Sequence, residues 1–279
     1  MIRRPPRSTL SSSSAASDVY KRQIKFIIIM KAIILAAGKG ERLQPFTNDI
    51  PKSLLRIDDQ TILENQINHL KKCDIEEINV VVGFAYQKVE EFLSSLNIIN
   101  IKINTIFNPF WNSTNSLFSL WCARNVLDKD TVLLNGDDVF ELEVLRKIIS
   151  NKEEICVPYK VKDKYAAEDM KVKIENDLVC SIGKNISDIN GESVGIRVFR
   201  GEGLQILKRS LEIEIRTEKF NKKWYASAID RILKRGHKVS SIDIGDLYWH
   251  DVDYPNDLEN ARANSSIITS VNKNNLRVV

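Results

Sequence analysis

The chain has 279 residues, 43% of them hydrophobic, which is enough for one large domain with a sizeable core. The formal charge is +4, but residues 1–29 hold six of the 41 bases (Arg3, Arg4, Arg7, Lys21, Arg22, Lys25) and one of the 37 acids (Asp18), leaving 35 bases and 36 acids in residues 30–279. The basic balance belongs to the leading segment, so charge gives no footprint of a nucleic-acid binder.

In chain order, MIRRPPRSTLSSSSAASDVYKRQ is rich in Ser, Pro and Arg and has no periodicity. It resembles translated adapter sequence, and residues 1–29 are read as a non-native leader, with the domain starting at Met30. A signal peptide over FIIIMKAIILAAG is the rival reading, but cleavage after Ala37 would remove a strand that the domain needs. The apolar run is interrupted by Lys31 and falls short of the roughly 20 residues of a membrane span, so no membrane partner and a cytoplasmic location are expected.

KAIILAA (31–37) reads as a buried strand and opens into LAAGKGERLQPFTNDIPKSLL (35–55). Gly38 and Gly40 allow a close backbone approach to an anion, Lys39, Arg42 and Lys52 add positive charge, and Pro45 and Pro51 stiffen the path that brings Lys52 back. This is a polyanion site, yet it is neither a P-loop, since KGERLQP follows Gly38, nor a dinucleotide fingerprint, since Leu43 stands at the third glycine position.

Helical spacing over 61–73 (Ile62, Leu63, Gln66, Ile67, Leu70) is followed by a strand over 77–84, a helix over 86–96 and a strand over 99–108. A helix over 116–127 and a strand over 131–137 follow. Such alternation predicts an α/β domain with a parallel sheet covered on both faces and ligands at the carboxyl ends of the strands. Beyond 150 the runs EICVPYKV, MKVKIEN, LVCSIGK and SVGIRVFR predict short mixed or antiparallel strands. Helices over 201–210 and 224–235, a strand over 238–245 and a helix near 255–264 complete a single domain over 30–264, ahead of a polar tail, 265–279. Cys73, Cys122, Cys156 and Cys180 lie far apart and read as reduced thiols, while His69, His237 and His250 lack metal spacing.

The long string at 35–55 resembles the signature of the sugar-phosphate and choline-phosphate nucleotidyltransferases, LAAG-x-G-x-R-L, then P-x-T, then PK. The resemblance runs from Met30 to about Ala263 through VVVGF (80–84), LLNGDD (133–138) and YWHDVDYPNDLENA (248–261). FNPFWNSTNSLFSL (107–120) is more similar to cytidylyltransferases acting on phosphocholine and 2-aminoethylphosphonate than to the sugar enzymes. The resemblance implies a Rossmann-like, GT-A-like fold with a mixed, mostly parallel sheet of seven strands. It also implies Mg²⁺-dependent attack of an acceptor phosphate or phosphonate on the α-phosphorus of a nucleoside triphosphate, with pyrophosphate leaving. CTP is favoured, with UTP and dTTP behind it. A sugar-1-phosphate uridylyl- or thymidylyltransferase and an inactive nucleotide sensor remain alternatives, and oligomeric state is open.

By the same resemblance Lys39 and Arg42 hold the leaving phosphates, Lys52 the α-phosphate or acceptor oxyanion, and Asp137, Asp253 and Asp251 the metal. Carboxylates at strand ends suit Mg²⁺, which takes hard oxygen ligands and keeps phosphates among them. Asp138 competes with Asp137 for the ligand role, Asp251 could serve only to orient, and Asp253 could cap the helix near Pro255. Leu35, Ala36, Ala37 and Gly83 are expected to meet the nucleotide through backbone groups, with Asn115 and Ser116, which equally fit a helix N-cap. For the acceptor the candidates are Trp224, Tyr225, Trp249, Lys171 and Glu192, with Glu168 and Asp169 as counter-charges to an amine.

Overall fold

The computed structural model describes residues 30–96 and 98–269; the leader read over 1–29 and positions 270–279 of the tail lie outside the described residues. The first strand, β1 (Lys31–Ala36), alternates Ala32, Ile34 and Ala36 into one apolar layer with Ile33 into the other, so both faces of the sheet are covered. It lies between β2 (Glu77–Val82) and β4 (Thr131–Asn135), with β3 (Lys102–Phe107) outside β2, all four parallel. Helices α1 (Ile62–Lys72) and α2 (Tyr86–Ser95) cover one face and α3 (Ser116–Cys122) the other.

β5 (Asp138–Phe140) and α4 (Leu142–Ser150) then lead into β6 (Ile155–Lys160), β7 (Lys171–Glu175), β8 (Leu178–Gly183), β9 (Gly191–Ser193) and β10 (Ile196–Phe199). β10 is antiparallel to both β4 and β6, which makes the sheet mixed. Helices α5 (Gly201–Glu214) and α6 (Ala226–Lys234) pack on the α3 face. β11 (Ser240–Asp243) pairs with both β6 and β8, so β6, β9, β7, β8 and β11 are joined in a ring of pairings. The expected seven strands are thus ten, in the order β11-β8-β7-β9-β6-β10-β4-β1-β2-β3, because the short turn-linked strands after 160 continue the main sheet. A separate ladder pairs β12 (Trp249–Asp251) with β5.

Other boundaries move for local reasons. The helix expected over 116–127 ends at Cys122 and gives way to a 3₁₀ turn over Arg124–Val126, and the strand expected to reach Asp137 stops at Asn135 where the chain turns through Gly136. The helix read over 201–210 runs on to Glu214, and α4 was not anticipated. After α7 (Pro255–Ala263), residues read as the start of the tail form a further turn, α8 (Ser265–Ile268), with Ile268 buried beside Leu43, Ile62 and Leu258. No helix among the described residues is long and apolar enough to cross a membrane.

Candidate active site

The carboxyl ends of β1 and β4 open into a cavity of about 560 Å³, where the glycine loop, the β4–β5 turn, the end of β12 and the start of α6 meet. The loop is built by three local devices. Gly40 adopts φ 73, a left-handed conformation open to glycine, and a side chain there would press on Lys52 at 3.0 Å from its Cβ. Thr47 Oγ donates to the Gly40 carbonyl at 2.7 Å, closing the loop on itself. Leu43 and Ser53 are buried on either side of this closure, so the short 3₁₀ turns over Glu41–Leu43 and Lys52–Leu54 are anchored while Arg42 and Lys52 face the cavity.

The Lys52 ammonium reaches across to Asp137 Oδ2 at 2.8 Å and Asp253 Oδ1 at 2.5 Å. Arg42 pairs with the other oxygen of Asp253, donates to the Tyr254 hydroxyl at 3.2 Å and lies 4.8 Å from that ring's centroid. Burial pulls the Lys52 ammonium down, but the two carboxylates outweigh it and hold it above its ordinary value. Burial also raises Asp253, and Lys52 and Arg42 reverse this, holding its carboxyl below the usual range.

Two features fix Asp137. Gly136 lets the turn lie directly on β1, where an added Cβ would meet the Leu35 carbonyl oxygen at 2.7 Å and the Ala36 Cα at 2.9 Å. Gln66 of α1 donates from its amide to the carbonyls of Asn135 and Asp138, both at 2.8 Å, bracketing the turn from below. Asp253 is carried in by the β5–β12 ladder, in which Asp251 faces Asp138 and Val252 N–H donates to the Asp137 carbonyl at 3.0 Å. Asp257 takes over the helix cap, accepting from the N–H groups of Asp253 at 3.0 Å and Tyr254 at 2.6 Å. The Asp253 side chain is therefore free of capping.

Asp138 is fully buried, and burial together with Asp137 and Asp251 pushes its carboxyl well up. Asp251 lines the cavity, and burial, Asp137 and Asp253 raise it as well. Asp137, Asp251 and Asp253 thus bring three carboxylates together against the Lys52 ammonium and the Arg42 guanidinium, a negative surplus that suits a divalent cation. Among the described residues no three potential ligands converge into a complete protein cage. Two carboxylate arms open to a cavity fit a magnesium ion that completes its oxygen shell with phosphates and water.

Leu35, Ala36, Ala37, Gly38 and Gly40 line the cavity, whereas Lys39 does not. Its ammonium lies 4.0 Å from Glu41 and 5.6 Å from the Phe84 ring centroid. Gly83 sits beneath the lining, where an added Cβ would meet Trp111 at 2.5 Å, so Trp111 is the surface presented to a ligand there. Asn115 and Ser116 combine both readings: the Asn115 side chain caps α3 by accepting from Ser116 N–H at 2.8 Å, and both residues line the cavity.

Trp224, Tyr225, Trp249, Glu168 and Glu192 all line the far side. Glu192 is paired with Lys162, and burial pushes it up to about 7. Lys171 is a correction: it lies outside the lining, and its ammonium is used by the carbonyls of Ala167 at 3.2 Å, Asp169 at 3.5 Å and Lys184 at 3.0 Å, tying two loops together. Asp169 is also outside, accepting from Ala166 N–H at 2.9 Å. Sequence reasoning missed Lys184, whose ammonium stands 4.2 Å from the Trp224 ring centroid, along with Trp111, Ser193 and Arg197. The available signal for Arg197 was a guanidinium inside an otherwise apolar strand run, SVGIRVF.

A model of the nucleotidyl transferase family matches residues 31–169. A Campylobacter jejuni protein named CTP:phosphoglutamine cytidylyltransferase is 26% identical over 255 residues, spanning 82% of this chain and 98% of that one. A CMP-5'-(3-aminopropyl)phosphonate synthase of Streptomyces rubellomurinus is 29% identical over 250 residues, 83% of this chain but only 38% of the relative. Among solved structures, the inositol-1-phosphate CTP transferase from T. maritima superposes with a TM-score of 0.73 at 20% identity, over 86% of this chain and 97% of that one, which shows the fold. With the glycine loop, the strand-end carboxylates and the family match in agreement, the chain belongs to the nucleotidyltransferases and is an enzyme of that family.

Proposed function

We propose that the enzyme transfers CMP from CTP to the phosphate or phosphonate of a small acceptor, with Mg²⁺ and release of pyrophosphate. The observation that carries this reading is the Lys52 ammonium suspended between Asp137 and Asp253 at the mouth of a glycine loop. The choice of CTP is supported by the names of the relatives.

Nucleotidyl transfer is largely positioning and charge neutralisation, because two anions must meet in line. The loop over Gly38–Gly40 receives the triphosphate through backbone N–H groups, and Arg42 moves from Asp253 to the leaving phosphates. Lys52 stays at the reacting centre, where it neutralises charge on the α-phosphoryl oxygens as the acceptor oxygen bonds to phosphorus and the bond to pyrophosphate breaks. No protein base is needed, since a phosphate acceptor is already ionised at neutral pH. Asp137 and Asp253 would hold Mg²⁺, which supplies further neutralisation of the phosphate oxygens when bound.

Pyrophosphate release by the full-length chain tests the reading, using Mg²⁺, CTP, UTP, dTTP, ATP or GTP, and a panel of phosphorylated amines, aminophosphonates and sugar 1-phosphates. Release with CTP and a small non-sugar acceptor is the expected result. Release only with UTP or dTTP and a sugar phosphate would move the enzyme to the sugar branch, and binding of nucleotide without turnover would favour a sensor.

A further inference from the structure

The cavity holds two separate sets of positive charge. Lys184 lines the cavity with its ammonium 4.2 Å from the Trp224 ring centroid, in the field of Arg42, Asp253, Glu168 and Asp251. Arg197 lines the same cavity from β10, and the acid that acts on it is Asp138, whose two carboxylate oxygens are buried without a hydrogen-bond partner.

Arg197 is 3% exposed, yet among the described residues no carboxylate forms an ion pair with it. One of its nitrogens donates to Ser193 Oγ at 2.6 Å, and its Nε is buried with no partner. The Tyr225 ring lies 4.7 Å from the guanidinium carbon, and the Tyr225 hydroxyl, also 3% exposed at the residue level, is likewise unpartnered. Burial lowers the guanidinium to about 10, so it remains charged at neutral pH. A guanidinium has five N–H donors, of which one is used by Ser193, so Arg197 and the Tyr225 phenol, both lining the cavity, keep donors for an acceptor group.

We infer that Arg197 and Tyr225 form a recognition site for a carboxylate on the acceptor, distinct from the phosphate or phosphonate that reacts at the mouth. The planar fork of a guanidinium matches the two oxygens of a carboxylate, and the phenol adds a third donor from the side. The reacting phosphate is held apart from this group by its need to lie in line with the α-phosphorus, near Lys52. The substrate class is therefore a phosphorylated or phosphonylated amino acid or other carboxylic acid, rather than a simple phosphorylated amine. This rests on the cavity being the acceptor site of the proposed reaction.

O-phosphoserine and phosphoethanolamine differ only in a carboxylate and make the matched pair for the test. Titration calorimetry of each into the full-length protein holding the α,β-methylene analogue of CTP reads acceptor binding without turnover. Wild-type protein is expected to bind phosphoserine about 100-fold more tightly, the scale of one charge-assisted, bidentate contact. Arg197→Met should bring the two compounds to within about threefold by weakening phosphoserine alone, and Tyr225→Phe should cut the ratio by about five- to tenfold. Arg197→Lys, which keeps the charge, guards against a Met variant that fails to fold and should retain part of the preference. Equal binding of the two compounds to wild-type protein, binding of neither, or equal weakening of both together with the CTP analogue in the variants would overturn the inference. Absence of nucleotidyl transfer in parallel assays bears on the proposed reaction alone.

Discussion

Lys52 is where charge, burial and position coincide. Its side chain is 12% exposed and balances two carboxylates that otherwise repel each other. Lys52→Ala is expected to lower kcat by about 10²–10³, the range for removal of one preorganised donor to a developing charge. CTP binding should weaken far less, since the backbone of the loop remains. Circular dichroism would confirm an intact fold, and wild-type turnover in this variant would remove Lys52 from the reaction. Asp137 and Asp138 are neighbours in sequence with opposite fates. Asp138 is buried against Gly195 and forms no ion pair with Lys52, so Asp138→Asn keeps its shape and should leave the Mg²⁺ dependence of the rate unchanged. Asp137→Asn removes a charge that faces Lys52, and should raise the Mg²⁺ concentration needed for half-maximal rate by tenfold or more, on the order of the loss of one charged ligand. Equal effects of the two changes would reverse the ligand assignment.

The site depends on elements that carry no chemistry. Helix α1 starts with a capping box, Thr61 with Glu64, and presents Gln66 to the turn that bears Asp137. Gln66→Leu fits the apolar surroundings but leaves two buried carbonyls without donors. It should therefore cost roughly 2–4 kcal/mol in a denaturant melt and lower activity at temperatures where the fold persists. Loss of neither stability nor activity would show that the turn is held by Gly136 alone. Gln66 is also a good measure of what the sequence discloses. Its place on the inner face of a helix was legible from the 3.6-residue period, but its bonds to residues about 70 positions away were not. The parallel half of the sheet, the glycine loop and the strand-end aspartates were legible for the same reason, since each is written in local alternation or in one contiguous string. The β5–β12 ladder, the ring of short strands and the use of Lys171 by three carbonyls were not, because they depend on pairings between distant segments. Arg197 and Lys184 stand inside strand runs of the sequence, but only the folded chain shows which of those side chains reach the cavity.

At the scale of the whole molecule, stability towards acid should depend on a residue remote from the reaction. His69 is fully buried on α1, with its ring 5.3 Å from that of Phe140 and both ring nitrogens without partners. Burial, with Lys72 and Arg146 acting in the same sense, lowers it from 6.5 to about 4 in the folded protein. Because the folded value lies below the unfolded one, the unfolded chain binds the extra proton first as the pH falls. Above pH 6.5 the imidazole is neutral in both states and adds no pH dependence. Between 6.5 and about 4 the unfolded state gains protonation that the folded state refuses, and the loss of stability reaches about 3 kcal/mol at the lower end. Carboxylates in the site contribute their own acid sensitivity, so the His69 share is read as a difference between proteins rather than from one curve. His69→Leu places an apolar side chain among Phe140 and the neighbouring core, and is expected to flatten the fall in unfolding free energy over pH 6.5–4 relative to wild type. Urea melts at half-unit pH steps measure it, with the two curves converging at neutral pH apart from a constant offset for packing. Parallel curves for the two proteins would mean that the imidazole charges in place, with water admitted beside Phe140.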